Sequence, residues 1–423
     1  MRANNFIIAS IFASTLFLLD TKPTCAYSIL THEAIIDACW IKSIQPLLKL
    51  KYPQSTAQQL KEAHAYAYGG SIAPDMGYFP FGSPFFTDLV HYVRTGDFVN
   101  ALLDEAQNIN EYAFALGFLS HYMADKYGHS IATNISVPID YPKDKRKYGN
   151  VVTYGEDHIS HMRMEFAFDV LQIVKGNYAS QAYHDFIGFQ VSRGLLERAF
   201  CKVYGLDIND IFGDFSLSIA TFRWSVKSLF PALTRAAWLI KKNEILKLNP
   251  KATSRNFTYH MHRVNYYSEF GKKRKKPGVF AAILSFIIRV IPKVGPLRVL
   301  KFKAPGPVAE KLFIQSFDTV LVHYTMALKN CRSGKINFPN IDFDTGNLTA
   351  PGEYPLADKN YDLLLGKLQK QDFILINSAL KQNILHFYAH RSAPVGNRKV
   401  MRAWKKTTAS LQQLKQSEQS RVN

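Results

Sequence analysis

Cysteine is scarce in this chain: four in 423 residues, at Cys25, Cys39, Cys201 and Cys331. So few, so widely spaced, exclude the disulfide framework that staples small secreted domains. Acidic side chains are outnumbered, 33 Asp and Glu against 52 Lys and Arg, leaving a formal charge of +19. Long hydrophobic runs are missing too. The two candidates, residues 6–19 and 279–288, are too short to span a bilayer as helices. There is no Gly-x-Ser-x-Gly elbow and no Gly-rich phosphate loop, so nucleophilic-serine and phosphate-cradle chemistry lack their motifs. What is present is apolar: 47 % hydrophobic and 13 % aromatic residues. That excludes a disordered chain and gives enough material for one large domain or two ordinary ones.

The first 26 residues read as a secretory leader. Arg2 precedes the apolar run, and Pro23 and the small residues Thr24-Cys25-Ala26 follow it. Cleavage is expected after Ala26, with Tyr27 as the mature amino terminus in a secreted or periplasmic protein. Removal of the leader leaves three cysteines, with no deducible pairing.

Residues 27–240 read as mostly helical. Segments 34–50, 111–127, 166–174 and 217–240 carry apolar residues at three- and four-residue spacing. Stretches 69–84 and 137–149, taken together rich in Gly, Pro and Phe, read as loops. Residues 241–310 hold sixteen Lys and Arg against Glu244, Glu269 and Glu310, and so thirteen of the nineteen net charges. Within this block, 271–298 joins a Lys-Arg run to the short apolar run. That pattern suits a segment lying at an anionic membrane surface, and equally a core helix behind a solvated basic loop. The expected organisation is a leader at 1–26, a catalytic domain at 27–240, a basic amphipathic segment at 241–308, a C-terminal helical region at 309–394 and a basic, polar, mobile tail at 395–423. A loop is expected over 341–361.

Seven of the 13 histidines fall between residues 32 and 161. In SHYMADKYGHS, His121 and Asp125 stand four apart, and His129 follows after four more. Four residues of helix turn about 400°, so neighbouring members are offset by only about 40°. His161 and Glu165 in HMRMEF repeat the pairing. Imidazole nitrogen and carboxylate oxygen are the donors zinc takes. Asp75 in APDMG, His91 in LVHYVR and His32 in YSILTHE are further candidates.

This ordered set resembles the bacterial zinc-dependent phospholipase C family and, more distantly, the secreted zinc nucleases of the same superfamily. The resemblance implies an all-α bundle with up to three zinc ions. It implies that Tyr27, through its free α-amino nitrogen and carbonyl oxygen, and His32 share one ion. Asp75, His91, His121 and Asp125 resemble the ligands of the central ion, with Asp125 bridging to the first. His161 and Glu165 resemble ligands of the remaining ion, with His129 as the third and His158 as the alternative. Tyr27 stands where relatives have Trp, and His129 lies four residues after the bridging aspartate where relatives have six. Gly128 is expected to end the helix and turn the chain there. His64 and the C-terminal histidines match nothing.

The implied chemistry is phosphodiester hydrolysis. Asp75 is the candidate to orient or deprotonate the attacking water, and the substrate a glycerophospholipid cleaved to diacylglycerol and a phosphorylated headgroup. Two rivals stand beside it: a zinc nuclease acting on single-stranded nucleic acid, which the net charge favours, and a zinc-stabilised secreted binding protein with little catalysis. Sequons occur at Asn134, Asn256 and Asn347.

Overall fold

The structure, a computed structural model, describes residues 29–178, 187–253, 295–393 and 396–417. The leader, Tyr27 and most of the basic stretch 271–298 lie outside the described residues. The described part is all-α. Among the described residues there is no strand, only an isolated antiparallel bridge between Ile341 and Leu348. No described helix is long and apolar enough to cross a membrane.

The N-terminal half is built from α1 (Ile29–Cys39), α2 (Gln45–Lys51), α3 (Ala57–Ile72), α4 (Pro84–Tyr92), α5 (Thr95–Glu105) and α6 (Ile109–Gly128), then α7 (Asn134–Asp140), α8 (Pro142–Tyr148) and α9 (His158–Lys175). Next come α10 (Arg193–Tyr204), α11 (Phe215–Trp224) and α12 (Phe230–Leu248). The C-terminal part carries α13 (Pro307–Arg332), α14 (Pro355–Lys370), α15 (Ser378–Ala389) and α16 (Arg398–Gln416).

The tightest pair is α3 against α6. A Cβ at Gly70 would meet the Phe114 carbonyl oxygen at 2.0 Å, and one at Gly117 would meet the Ala67 carbonyl at 2.1 Å. Only glycine lets these two backbones approach so closely. Stretch 69–84 is therefore not the expected loop: α3 runs through its glycines to Ile72, and a 3₁₀ turn (Ala73–Tyr78) follows. Stretch 137–149 is likewise helical, as α7 and α8, with Pro142 at the first turn of α8 where its missing N–H is harmless.

The described residues pack around two apolar cores. One gathers Tyr68, Phe98, Phe114, Phe118, Phe200, Tyr204 and Leu364. The other gathers Phe166, Phe168, Val170, Leu233, Ala236 and Phe313. The expected mobile tail is instead α16 over most of its length. Ser410 and Leu414 are buried, Ser410 donates to Gln369 of α14 at 2.6 Å, and Gln369 donates to Gln413. The three described cysteines, Cys39, Cys201 and Cys331, are all free thiols.

Candidate metal centre

Each side chain of the centre is delivered by a locally explicable element. His121 and Asp125 lie on the inner face of α6, which starts at Asn108, whose side chain accepts from the Asn110 and Glu111 amides. The close α3–α6 approach lets His121 Nδ1 donate to the Ser71 carbonyl at 2.8 Å. Asp75 sits in the 3₁₀ turn that continues α3. Thr87 of α4 fastens that turn, accepting from the Gly77 amide at 3.0 Å and donating to the Pro74 carbonyl at 2.7 Å. His91, one turn after Thr87, donates through Nδ1 to its carbonyl at 2.8 Å. His161 and Glu165 project from α9, capped at its start by Asp157. His32 is on the first turn of α1, which Asp169 of α9 holds from a distance: its carboxylate accepts the Leu30 amide at 3.0 Å and the Thr31 hydroxyl at 2.6 Å.

The helix does not end at Gly128 as expected. Gly128 keeps helical torsions, and α6 widens into a π turn (His129–Thr133) in which the Asn134 amide reaches the His129 carbonyl. His129 thus stays in line with α6 and faces α9.

Three groups result, each with its ligand atoms mutually within 4.8 Å: His32, His121 and Asp125; Asp75, His91 and His121; His129, His161 and Glu165. None of these eight residues is more than 2 % exposed. Asp125 faces three imidazoles, at 3.6 Å from His32, 3.5 Å from His91 and 3.0 Å from His121. His91 stands 3.4 Å from Asp75 and 3.4 Å from His121 Nε2. Glu165 lies 3.6 Å from His129 and 2.7 Å from His161. His129, not the exposed His158, completes the last group. His64 is elsewhere, stacked on Trp40 with Nε2 3.0 Å from Asp37.

These residues fit a metal. Despite the short distances, neither carboxylate oxygen of Asp75, Asp125 or Glu165 makes a hydrogen bond, nor do His129 Nε2 and His161 Nδ1. Buried polar atoms are rarely left so. Donors about 2.0–2.1 Å from a tetrahedral zinc stand roughly 3.3–3.4 Å apart, close to the spacings here. The second nitrogen of His91, His121, His129 and His161 is held by an oxygen acceptor, the outer support typical of metal-binding imidazoles.

The electrostatics agree. Burial and then His121 push the His32 pKa well below its usual value, and burial with His129 takes His161 down to about 3. Both are therefore neutral, the ligating form. Against burial, the carboxylates of Asp125 and Asp75 lift His91 to about 10. The two acids share that one cation. Asp125 is held well below the carboxylate range, against burial, by His121 and His129, while burial pushes Asp75 up. Burial, then Asp125 and Asp75, push Glu165 well above its ordinary value.

Two groups carry no sequence signal. Asp344, in the expected 341–361 loop, places Oδ1 3.0 Å from His129 Nδ1. Asn134, notable in the sequence only as a sequon, accepts from His161 Nε2 at 2.9 Å and is buried, so that sequon is closed in the folded chain.

Comparison with known proteins agrees with this geometry. The model of the family described as zinc dependent phospholipase C matches residues 31–209. An uncharacterized protein of Archaeoglobus fulgidus is 26 % identical over 162 residues, 35 % of this chain and 43 % of its own length. The chain thus spans less than half of that relative. No solved structure matches the chain. All eight described ligand candidates fall inside the segment, residues 31–209, that matches the zinc dependent phospholipase C family.

Proposed function

We propose that the protein is a secreted zinc-dependent phosphodiester hydrolase, a phospholipase C that cleaves glycerophospholipid to diacylglycerol and a phosphorylated headgroup. The observation that carries this reading is the set of three buried His/Asp/Glu groups whose carboxylates lack hydrogen bonds. His32, His121 and Asp125, joined by the Tyr27 terminus, would hold one zinc. Asp75, His91, His121 and Asp125 would hold the second, and His129, His161 and Glu165 the third. Bound there, zinc supplies positive charge to phosphoryl oxygens and makes a water acidic enough to attack at neutral pH. Asp75, whose pKa burial raises, orients that water and takes its proton. The water oxygen bonds to phosphorus, the phosphorus–oxygen bond to glycerol breaks, and the glycerol oxygen takes up the proton that Asp75 accepted, so diacylglycerol leaves neutral and Asp75 is restored. Thr87 and Ser71 keep His91 and His121 in one tautomer throughout.

Secretion, with cleavage after Ala26, frees the Tyr27 nitrogen that an amide bond would otherwise occupy. The basic and apolar stretch 271–298 supplies the surface that meets an anionic membrane, with the phospholipid as substrate and partner. The deciding assay compares phosphatidylcholine vesicles with single-stranded DNA side by side, with a chelator control. Chelator-sensitive release of diacylglycerol supports the proposal. Cleavage of DNA alone would identify a nuclease, and turnover of neither by the zinc-loaded chain would leave a binding protein.

A further inference from the structure

The family match ends at residue 209, yet one of the best-connected side chains at the centre comes from far beyond it. Residues 338–354 form a strap across the site. Phe338 and Asn340 are stitched to α5 by reciprocal hydrogen bonds with Asn100 and Asp97, and Ile341 exchanges two bonds with the Thr95 hydroxyl. The strap crosses directly over Gly96, where a Cβ would meet the Phe338 carbonyl at 2.1 Å. The Phe343 amide then donates to the His91 carbonyl at 3.1 Å, and its ring lies 5.1 Å from the His91 ring.

This brings Asp344, 1 % exposed, against the His129 imidazole. Its Oδ1 is 3.0 Å from His129 Nδ1, across 215 residues of sequence. Its Oδ2 accepts from the hydroxyls of Tyr92, at 3.2 Å, and Tyr354. Its own carbonyl accepts from Asn134 Nδ2 at 2.7 Å, and Asn134 Oδ1 accepts from His161 Nε2 at 2.9 Å. One residue therefore fixes both rings: His129 through its carboxylate, His161 through Asn134.

We infer that Asp344 is the positioning residue of the His129–His161–Glu165 group, and that this metal site is incomplete without the C-terminal strap. The inference rests on the zinc reading above. By accepting from Nδ1, Asp344 puts the lone pair of His129 on Nε2, the atom that faces Glu165. A carboxylate in that role also makes the imidazole a more basic ligand, and its loss ordinarily weakens metal binding by about 10–100-fold.

The test is zinc retention by the full-length, correctly processed chain against graded chelator. In Asp344→Ala, one zinc per chain should leave at about 10–100-fold lower chelator strength than in wild type, while the remaining zinc is unmoved. Asp344→Asn keeps an oxygen that accepts from Nδ1 and should recover most of the loss. Asn134→Leu, which frees His161 and the Asp344 carbonyl but leaves the Asp344 carboxylate on His129, should release the same zinc and keeps the test open if Asp344→Ala does not fold. Wild-type retention in both Asp344→Ala and Asn134→Leu would overturn the inference alone. So would loss of all zinc together in these variants, or Asn no better than Ala at position 344. A wild-type chain that binds no zinc would overturn the metal reading and the inference with it.

Discussion

Glu165→Gln separates a metal ligand from an ordinary buried acid. The two side chains have nearly the same shape, so packing on α9 is kept. In the metal-free chain, burial and the charges of Asp125 and Asp75 hold the Glu165 pKa well above its ordinary value near 4.5. The folded state then binds a proton that the unfolded chain has released. Stability drawn from this group is present at acid pH and falls as pH rises from about 4.5 towards the raised value. Glutamine has no such dependence, so metal-free Glu165→Gln should match wild type at low pH and become the more stable of the two as pH rises.

With zinc the order reverses. A site filled at a hundredfold above its dissociation constant stabilises the fold by about 2.7 kcal/mol. For a chain of this length, at about 1 °C per kcal/mol, losing the site should lower the unfolding midpoint by about 3 °C. The assay is thermal unfolding of both proteins, with chelator and with excess zinc, at several pH values. Equal midpoints in zinc, or a loss of the same size with and without zinc, would show that Glu165 is structural and refute the assignment.

His121→Ala touches two of the three groups and should remove nearly all activity and more than one zinc per chain; full activity would sink the centre. Gly96→Val drives a side chain into the Phe338 and Pro339 carbonyls and should destabilise by about 1–3 kcal/mol or more, read as a lower denaturant midpoint; an unchanged midpoint would mean that the strap is not seated there. A chain carrying an extra residue before Tyr27 should hold one zinc fewer than the processed form, measured by metal analysis; equal content would remove Tyr27 from the centre. Deleting 272–292 should weaken binding to anionic vesicles while sparing a soluble short-chain substrate; unchanged vesicle binding would end the interfacial reading.

How much of this was legible in the sequence depends on the range of the interaction. His121 with Asp125, and His161 with Glu165, are helical neighbours, and spacing alone puts each pair on one face. His32, Asp75 and His91 could be gathered only by resemblance, because their meeting depends on how α1, α4 and α6 pack. Asp344 and Asn134 were invisible as site residues: no periodicity links a loop to a histidine 215 residues away. Glycine misled in one place. Gly69 and Gly70 read as punctuation, whereas Gly70 lets α3 lie against α6 and Gly69 lets the Gln190 backbone approach α3. Composition misled at the C-terminus, where many Lys and Gln hide the stripe that seats α16 on α14.

The net charge of +19 takes on a different meaning beside the list of buried groups. Among the described residues, Glu33, Asp75, Asp125, Glu165, Asp169, Asp342 and Asp344 are buried, with Arg94 as the only buried Lys or Arg. Among the described residues, then, the buried charges are almost all acidic. Burying carboxylates without cations costs several kcal/mol each, a cost a fold sustains only if something positive reaches them. Asp75, Asp125, Glu165 and Asp344 have only histidines as ion-pair partners, and histidines bound to metal carry no proton at the ligating atom. In the metal-free chain the His91 cation and a raised Glu165 pKa offset that cost; with metal ligated, the balancing charge is the metal's own.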